Sequence, residues 1–360
     1  MEYRFKSKDF KKCFDFAIKY HLDPKKTSSG RTSGQTRGLG EIIDSFLGGK
    51  LVEIAVEKIL KRLQPRKDYE LNFKIIKTSK AKNQPDIIGI KQDKIPRNPN
   101  LFIEIKRTFE RDRWVGLTEE QFRTMKGKAK NLTRINVIGV SIAYDGTKDQ
   151  KEKDLLGSYM NRLIGGELFS GFGQTHKFKA KIDYVISGND LVKYGVSFKK
   201  GGFFFETKIF KIASEKTENK IKKGLKGFEK VKEIYNSRIP PYVPSRTLKL
   251  GQNNKIKYPL PKLFFPLKLK GRVVLYRKKN KDSERRYLLC KTPVKIFSDK
   301  LGEFDLKKNR CYEYNISTVG RNPVLNRNNI WIAKTKVSFL YKKGLLSKPG
   351  ESLKKIADTI

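Results

Sequence analysis

The apolar residues of this chain recur at helical spacing in its first part. Between residues 41 and 63, apolar side chains three and four positions apart predict a long amphipathic helix, in which Gly48-Gly49 favours a kink or a break. A shorter amphipathic run, FKKCFDFAIKYHL within residues 1–26, predicts a second helix. Residues 27–40 are rich in Gly, Ser, Thr and Arg, a composition typical of a loop.

Strands are predicted where shorter apolar runs follow the long helix. They lie at residues 71–78, 86–90, 101–106 and 135–144. The last of them, INVIGVSIAY, is a nearly continuous apolar run, as is typical of a strand buried on both faces. Between the third and fourth strands, the capping-box sequence Thr118-Glu-Glu-Gln121 predicts a helix that extends to about Lys130. The predicted order is therefore helix, three strands, helix, strand.

The later part of the chain is dominated by strand patterning. Residues 215–235 are rich in lysine and predict a helix, and residues 238–244 (RIPPYVP) predict a stiff linker between two domains. Beyond this linker, two apolar runs flank the charged turn KKNKDSE and predict a hairpin. Two strands are predicted before the linker, at residues 182–186 and 203–210. The strands predicted after it lie at residues 272–276, 286–290, 294–297, 312–318, 330–333 and 337–341. We therefore expect one domain at residues 1–238 and a β-rich domain at residues 245–360.

The balance of charge points to a polyanionic partner. The chain has 81 Lys and Arg against 37 Asp and Glu, a formal net charge of +44, and residues 239–360 alone carry 29 basic against eight acidic side chains. Such a surplus is suited to neutralising phosphates with release of counterions, so nucleic acid is the expected partner. An AT-rich genome, which favours lysine codons, is a simpler origin for part of this excess.

Residues that are scarce exclude several classes of protein. Three widely separated cysteines (Cys13, Cys290 and Cys311) give neither a disulfide framework nor a zinc-binding pair, and they fit a reducing cytoplasm. With only His21 and His176, histidine-metal nucleases and zinc-finger proteins are close to excluded. We expect no membrane span and no signal peptide, since no apolar run approaches the roughly 20 residues of a span.

Residues 84–106 (QPDIIGIKQDKIPRNPNLFIEIK) combine acidic residues with two predicted strands. Asp86 opens the first strand, Glu104 and Lys106 lie in the second, and a turn rich in Pro and Asn separates the strands. Because side chains alternate between the faces of a strand, Glu104 and Lys106 share one face. If the strands pair as a hairpin, Asp86 lies beside Glu104. Such carboxylates are typical Mg²⁺ ligands, and a nearby lysine orients or deprotonates an attacking water.

Pro85-Asp86 followed by Glu104-Ile105-Lys106 resembles the motif of the PD-(D/E)XK nucleases, which include most type II restriction endonucleases. The resemblance covers roughly residues 38–144, since the predicted order of elements is that of the family's αβββαβ core. It implies an α/β fold with a restriction-endonuclease-like core and a mixed central sheet. It further implies Mg²⁺-dependent cleavage of double-stranded DNA at a specific sequence, a companion DNA methyltransferase acting on the same site, and a prokaryotic cytoplasm. A homodimer is one assembly that the resemblance allows.

Carried over onto this chain, the family's site consists of two carboxylates, a main-chain carbonyl and a lysine, at Asp86, Glu104, Ile105 and Lys106. The first three would bind Mg²⁺, and the lysine would position or activate water. In many restriction enzymes, the helix before the motif supplies a further acid near the metal. Glu53 matches that place, with Glu41 and Glu57 as weaker candidates, and an exposed glutamate on the flank of a helix is the alternative.

Other interpretations of the same chain stay open. The tripeptide pattern recurs at Glu206-Thr207-Lys208, preceded by Asp190 at a similar interval but without a Pro-Asp pair. A junction-resolving, repair or transposon nuclease of the same fold is a second enzymatic interpretation. A non-catalytic DNA-binding protein is a third.

The β-rich residues 245–360 are expected to form a DNA-recognition or effector domain. Arg and Asn are the side chains that read guanine and adenine edges in the major groove. Both types cluster between two predicted strands, and the candidates are Arg321, Asn322, Arg327 and Asn328. A turn rich in Asn is the simpler interpretation of the same residues.

Overall fold

A computed structural model describes most of the chain. The described residues are 1–22, 39–74, 84–109, 114–144, 178–198, 210–225, 227–239, 246–250, 254–258, 267–280, 283–314 and 329–360. Up to residue 198 the elements are β1 (Glu2–Arg4), α1 (Ser7–Leu22), α2 (Leu39–Leu63), β2 (Lys67–Leu71), β3 (Ile87–Gln92), β4 (Ile95–Arg97), β5 (Phe102–Thr108), β6 (Trp114–Thr118), α3 (Glu119–Ala129), β7 (Ile135–Tyr144), β8 (Phe178–Ser187), α4 (Gly188–Tyr194) and β9 (Val196–Phe198). From residue 210 they are β10 (Phe210–Ile212), α5 (Glu215–Lys222), β11 (Glu229–Tyr235), β12 (Arg238–Ile239), β13 (Arg246–Leu250), β14 (Asn254–Tyr258), β15 (Leu267–Lys270), β16 (Arg272–Asn280), β17 (Ser283–Cys290), β18 (Val294–Ser298), β19 (Gly302–Leu306), β20 (Cys311–Tyr314), β21 (Asn329–Ala333), α6 (Lys334–Lys342) and α7 (Pro349–Thr359).

The sheets confirm the predicted α/β class with a mixed sheet. Four strands form one sheet in the order β1-β8-β7-β5, in which β5 and β7 run parallel and the other pairs run antiparallel. Antiparallel pairing also builds the sheets β2-β3-β4, β10-β20-β17-β16-β11 and β12-β15-β18-β19. Among the described residues, no helix is both long enough and apolar enough to cross a membrane.

The chain divides into two compact units, and the division differs from the predicted one. Unit 1 comprises residues 1–112, 117–193 and 347–360, whereas unit 2 comprises residues 113–116 and 194–346. The expected boundary at residues 238–245 falls inside unit 2, because β11 pairs with β16 across it. Helix α7 belongs to unit 1, although it follows unit 2 in the sequence.

Helix α2 forms the centre of the core of unit 1. Its buried apolar residues recur at the helical spacing that the sequence predicts, at Leu51, Val52, Ala55, Val56, Ile59 and Leu60. They share one hydrophobic cluster with residues of β3, β5 and β7. The expected kink at Gly48-Gly49 does not interrupt α2, which runs for 25 residues. A Cβ atom at Gly48 would lie 1.9 Å from Nη1 of Arg107, so the glycine allows this arginine of β5 to lie against the helix.

The predicted order of helix, three strands, helix and strand occurs as α2, β2, β3, β5, α3 and β7, with β4 and β6 as additions. The strand predicted at residues 71–78 is displaced: β2 ends at Leu71, residues 72–74 are not in a strand, and residues 75–83 lie outside the described part of the chain. The error arises at Lys67, which begins the strand and is buried. Because a lysine is rarely buried, the sequence does not predict that a half-buried strand begins at Lys67.

Helix α7 closes the core of unit 1. Three buried side chains of the helix and that of the residue after it join the cluster that contains α2, at Leu353, Ile356, Ala357 and Ile360. Lys67 Nζ donates to the main-chain carbonyl oxygens of Ala357 and Ile360 at 2.7 and 3.2 Å, and an Arg97 Nη atom donates to that of Ile360 at 2.8 Å. Cations are favoured at the C-terminal end of a helix, where carbonyl groups lack partners within the helix. These contacts explain why Lys67 is buried.

Unit 2 is rich in antiparallel strands, as predicted for the later part of the chain. The predicted hairpin is present as β16 and β17. The predicted helix at residues 215–235 is wrong beyond Lys222, where α5 ends, because Gly224 and Gly227 adopt positive φ angles of 64° and 102° and β11 follows. The strand predicted at residues 337–341 is also wrong, since α6 occupies them.

Candidate active site

Asp86 is held against strand β5 by main-chain hydrogen bonds. Its backbone N–H donates to the carbonyl oxygen of Ile103 at 3.1 Å. Its carboxylate Oδ2 accepts from the backbone N–H of Ile105 at 2.6 Å. The half-buried Asp86 carboxylate is thereby fixed at the point of β5 where Glu104 and Lys106 flank Ile105.

The predicted hairpin between the strands of Asp86 and Glu104 is wrong. Strand β3, which begins directly after Asp86, pairs with β4 through a short turn at Asp93 and Lys94, whose φ angles are 50° and 69°. Two consecutive residues with positive φ are typical of the tight turns that join neighbouring antiparallel strands. The contact between Asp86 and β5 therefore comes from the entry to β3, and not from pairing along the two strands.

Glu104 and Lys106 interact on β5, as expected for residues that share one face of a strand. The Glu104 side chain is buried, and its Oε1 lies 2.5 Å from Lys106 Nζ. The same oxygen accepts a hydrogen bond of 2.6 Å from Nε2 of Gln121, in the first turn of α3. The Lys106 side chain is 34% exposed, so solvent reaches it. Helix α3 thus positions one carboxylate of the motif, a role that its capping-box sequence does not reveal.

Glu53 forms a buried ion pair with Lys50 on helix α2. Lys50 Nζ donates to both carboxylate oxygens of Glu53, at 2.9 and 2.6 Å, and to the main-chain carbonyl oxygen of Asn72 at 2.7 Å. The ring centroids of Phe16 and Phe73 each lie 5.2 Å from the same nitrogen. The side chains of the pair are 13% and 9% exposed, so the interpretation of Glu53 as an exposed glutamate is wrong. Sequence reasoning selected Glu53 but missed Lys50.

Negative charge is concentrated around Asp86. Burial raises the pKa of the Asp86 carboxyl well above its ordinary value, and the charges of Glu53 and Glu104 raise this pKa further. The hydrogen bond from the Ile105 N–H and the charge of Lys50 act in the opposite direction. An ionised carboxylate in such surroundings is stabilised when a further cation lies beside it.

The oxygen donors at this position fit a hard divalent cation. Mg²⁺ commonly takes one or two carboxylates together with water and substrate phosphate. Asp86 and Glu104 offer carboxylates, and Ile105, whose N–H binds the Asp86 carboxylate, offers a main-chain carbonyl. Within the part of the chain that the structure describes, no three His, Cys, Asp or Glu side chains are arranged to hold a metal ion. Two carboxylates and one carbonyl leave several positions of such a cation for water or substrate phosphate.

In metal-free protein, Asp86→Asn is expected to raise the unfolding temperature at pH 8. The folded-state pKa of Asp86 lies above the ordinary value of 3.8, so the folded protein holds this proton more tightly than the unfolded chain. Ionisation of Asp86 therefore costs stability as the pH rises from about 4 through the folded-state pKa. Asparagine removes this cost, and its side-chain oxygen still accepts from the Ile105 N–H. The gain should shrink as the pH is lowered, in thermal unfolding curves recorded in EDTA.

The control for this measurement is Asp68→Asn. Asp68 is an exposed carboxylate of β2 that pairs with Lys61 at 2.5 Å. This substitution should not raise the unfolding temperature at pH 8. A lower unfolding temperature for Asp86→Asn than for the unmodified protein at pH 8 would contradict the expected destabilisation by the ionised carboxylate.

Several other candidates lie outside the described residues or have a different environment. The base-reading candidates Arg321, Asn322, Arg327 and Asn328 fall outside the described ranges, as does the rival tripeptide at residues 206–208. Its companion Asp190 exchanges hydrogen bonds with Ser187, whose Oγ donates to Oδ2 and accepts from the Asp190 N–H. This reciprocal pattern caps the start of α4.

Of the acids of α2 whose side chains are described, Glu57 has a different environment from Glu53. Glu41 lies within the helix, but its side chain is not described. Glu57 lies 3.0 Å from Lys58 Nζ and lines a cleft of about 570 Å³ in unit 1, and none of the motif residues lines this cleft. Among the α2 acids with described side chains, Glu53 is the one whose charge raises the pKa of Asp86.

The geometry around Asp86 is the basis for a functional interpretation of this chain. Asp86, Glu104 and Lys106 are brought together at β5, with Gln121 and the Lys50–Glu53 pair as additional polar groups. Comparison of the chain with protein-family models, with curated proteins and with solved structures found no match.

Proposed function

We propose that this protein is a Mg²⁺-dependent endonuclease of the type II restriction class, which cuts double-stranded DNA at a specific sequence. The observation that carries the proposal is the position of the Asp86 carboxylate. It accepts from the Ile105 N–H at 2.6 Å, beside Glu104 and Lys106 on the same strand. Two carboxylates and a lysine at one strand form a set of side chains suited to hydrolysis of a phosphodiester bond.

The arrangement of elements supports a restriction-endonuclease-like αβββαβ core. Helix α2 precedes the three strands β2, β3 and β5, and α3 then leads to β7, which runs parallel to β5. A parallel pair requires a crossover connection, which α3 provides. Asp86 stands at the entry to the second strand and Glu104 lies on the third, which are the positions of the motif in the family that the sequence resembles.

Each residue of the motif has a distinct role in the proposed reaction. Asp86, Glu104 and the main-chain carbonyl of Ile105 would hold Mg²⁺, which would supply stabilisation of negative charge on the scissile phosphate. Lys106 positions the attacking water for in-line displacement, and its partial exposure allows water and substrate to reach it. Gln121 fixes the orientation of the Glu104 carboxylate. Glu53 is a further acid near this centre.

The proposed partners follow from this chemistry. The net charge of +44 supports duplex DNA as the substrate. A restriction enzyme requires a companion methyltransferase that protects the same sequence in the host. A homodimer would provide one active centre for each DNA strand. The residues proposed to read bases are Arg321, Asn322, Arg327 and Asn328, in unit 2.

A digest of plasmid DNA with Mg²⁺, mapped to nucleotide resolution, tests the proposal. Cleavage at one short recurring sequence is the expected result. Cleavage confined to branched DNA would instead favour a junction-resolving enzyme of the same fold. Binding without any strand scission would favour a DNA-binding protein without catalytic activity, and either outcome would refute the proposed activity.

Affinity for duplex DNA is expected to fall by roughly 10³ or more between 50 and 200 mM salt, if six or more phosphates are engaged. The reason is the high positive charge, since each phosphate contact releases condensed counterions. Fluorescence anisotropy of a labelled duplex in EDTA measures this affinity without cleavage. A nearly flat salt response would contradict binding through phosphates.

A further inference from the structure

Lys50 contacts both carboxylate oxygens of Glu53, an acid of α2. Its Nζ lies 2.9 and 2.6 Å from the two Glu53 carboxylate oxygens, so both oxygens are engaged by one ammonium group. The Glu53 side chain is buried and is therefore cut off from most of the solvent. A buried carboxylate in such a position needs a cation, and Lys50 supplies it.

The ammonium group of Lys50 is held in place from several directions. Its nitrogen donates to the Asn72 carbonyl oxygen at 2.7 Å, and the centroids of the Phe16 and Phe73 rings lie 5.2 Å away. Aromatic rings attract a cation that lies near their centres, more strongly when the cation is shielded from water. Leaving this position would break the contacts with Glu53, with the carbonyl oxygen and with both rings.

A second divalent cation would need Glu53. Paired metal ions in nucleases lie about 3.5–4 Å apart and share acidic ligands. Asp86 and Glu104 suffice for one Mg²⁺, which commonly takes one or two carboxylates. A second ion beside Asp86 would require a further acid, and the pair of Glu53 and Lys50 lies close by. The Asn72 N–H donates to the Asp86 carbonyl oxygen at 3.0 Å, and the Asn72 carbonyl oxygen accepts from Lys50 Nζ at 2.7 Å. The Glu53 oxygens already contact an ammonium group, which repels a divalent cation.

We propose that Lys50 takes the place of a second metal ion, so that each chain binds one divalent cation at this site. The inference rests on the proposed function for the cation at Asp86 and Glu104. Glu53 then acts as the partner of a fixed internal cation and not as a metal ligand. Lys50 is accordingly a positioning residue, which keeps Glu53 neutralised beside Asp86.

Binding of Mn²⁺ to the full chain without DNA tests the inference, since carboxylate sites for Mg²⁺ also accept Mn²⁺. Electron paramagnetic resonance gives the number of bound ions and reveals neighbouring ions by their dipolar coupling. The unmodified protein is expected to bind one uncoupled Mn²⁺ that is lost in Asp86→Asn and in Glu104→Gln. Lys50→Met should bind a second, coupled Mn²⁺, and Lys50→Met with Glu53→Gln should return to one.

One further variant and the count for the unmodified protein separate the possible results. Lys58→Met removes a lysine from the same helix that pairs with Glu57, and it should leave one bound Mn²⁺. The number of Mn²⁺ ions bound by the unmodified protein keeps the inference testable should Lys50→Met fail to fold. Two coupled Mn²⁺ ions in the unmodified protein would overturn the inference, and so would a folded Lys50→Met that still binds a single ion. The proposed function would stand in both cases. Absence of any Mn²⁺ that depends on Asp86 and Glu104 would overturn the proposed function itself.

Discussion

Glu104→Gln is expected to lower the rate of DNA cleavage at least about a thousandfold, which corresponds to about 4 kcal/mol of transition-state stabilisation. The substitution keeps the size of the side chain but removes the charge that would hold Mg²⁺. Asp86→Asn should have a similar effect, although its side-chain oxygen can still accept from the Ile105 N–H. Lys106→Ala should abolish cleavage by removing the group that positions water. Single-turnover cleavage of a duplex that contains the mapped site measures all three rates.

Two controls locate the site within the chain. Asp68→Asn changes an exposed carboxylate on β2 and should leave the cleavage rate within about twofold. Glu206→Gln tests the second tripeptide pattern and should also leave it unchanged. If Glu104→Gln cuts DNA normally and Glu206→Gln does not, the active centre belongs to the rival pattern and the present assignment is wrong. Circular dichroism spectra of each variant show whether the fold is retained.

Deletion of residues 349–360 is expected to unfold unit 1. This segment buries the large side chains of Leu353, Ile356 and Ile360 in the core around α2. Removing a buried Leu or Ile side chain costs about 2–5 kcal/mol, so the loss of three is comparable to the whole stability of a typical domain, about 5–15 kcal/mol. Buried Lys67 would also lose its carbonyl partners. The change in free energy of unfolding is measured by urea titration, followed by circular dichroism.

Point substitutions on the same helix provide the control for this deletion. Leu353→Ala should cost about 2–5 kcal/mol, whereas Lys354→Ala, at an exposed position, should cost less than about 0.5 kcal/mol. A deletion variant with unchanged stability would show that α7 is not part of the core. Truncation after residue 245 removes α7 as well, so loss of cleavage in such a truncation would report damage to unit 1 and not only loss of recognition.

Elements whose residues follow one clear period could be predicted from the sequence. The helical spacing of Leu51, Ala55 and Ile59 identifies α2, and the apolar run of residues 135–144 identifies β7. The β3–β4 hairpin was missed because its turn at Asp93 and Lys94 lacks the Gly or Asn that usually marks positive φ. The sequence of α6 was misassigned because VSFLY is too short to distinguish a strand from a helix by periodicity alone.

Of the candidate site, only the acidic residues and Lys106 could be predicted from the sequence. The motif identified Asp86, Glu104 and Lys106, but the contact that fixes Asp86 is a main-chain hydrogen bond, which no side-chain pattern reveals. Lys50 was missed for a similar reason. The sequence predicts a solvated lysine on a helix at this position. The burial of Lys50 depends on the carbonyl oxygen of Asn72, which is 22 residues away in the sequence, and on two aromatic rings.

The position of α7 in the sequence affects how the protein is made. After residue 193, a ribosome synthesises roughly 150 residues of unit 2 before it reaches the last helix of unit 1. At about 5–20 residues per second, this takes roughly 8–30 s. During that time the apolar side chains of α2 cannot yet pack against α7. Unit 1 therefore completes its core after translation has passed through unit 2, and a prematurely terminated chain that lacks unit 2 also lacks a finished core around Asp86.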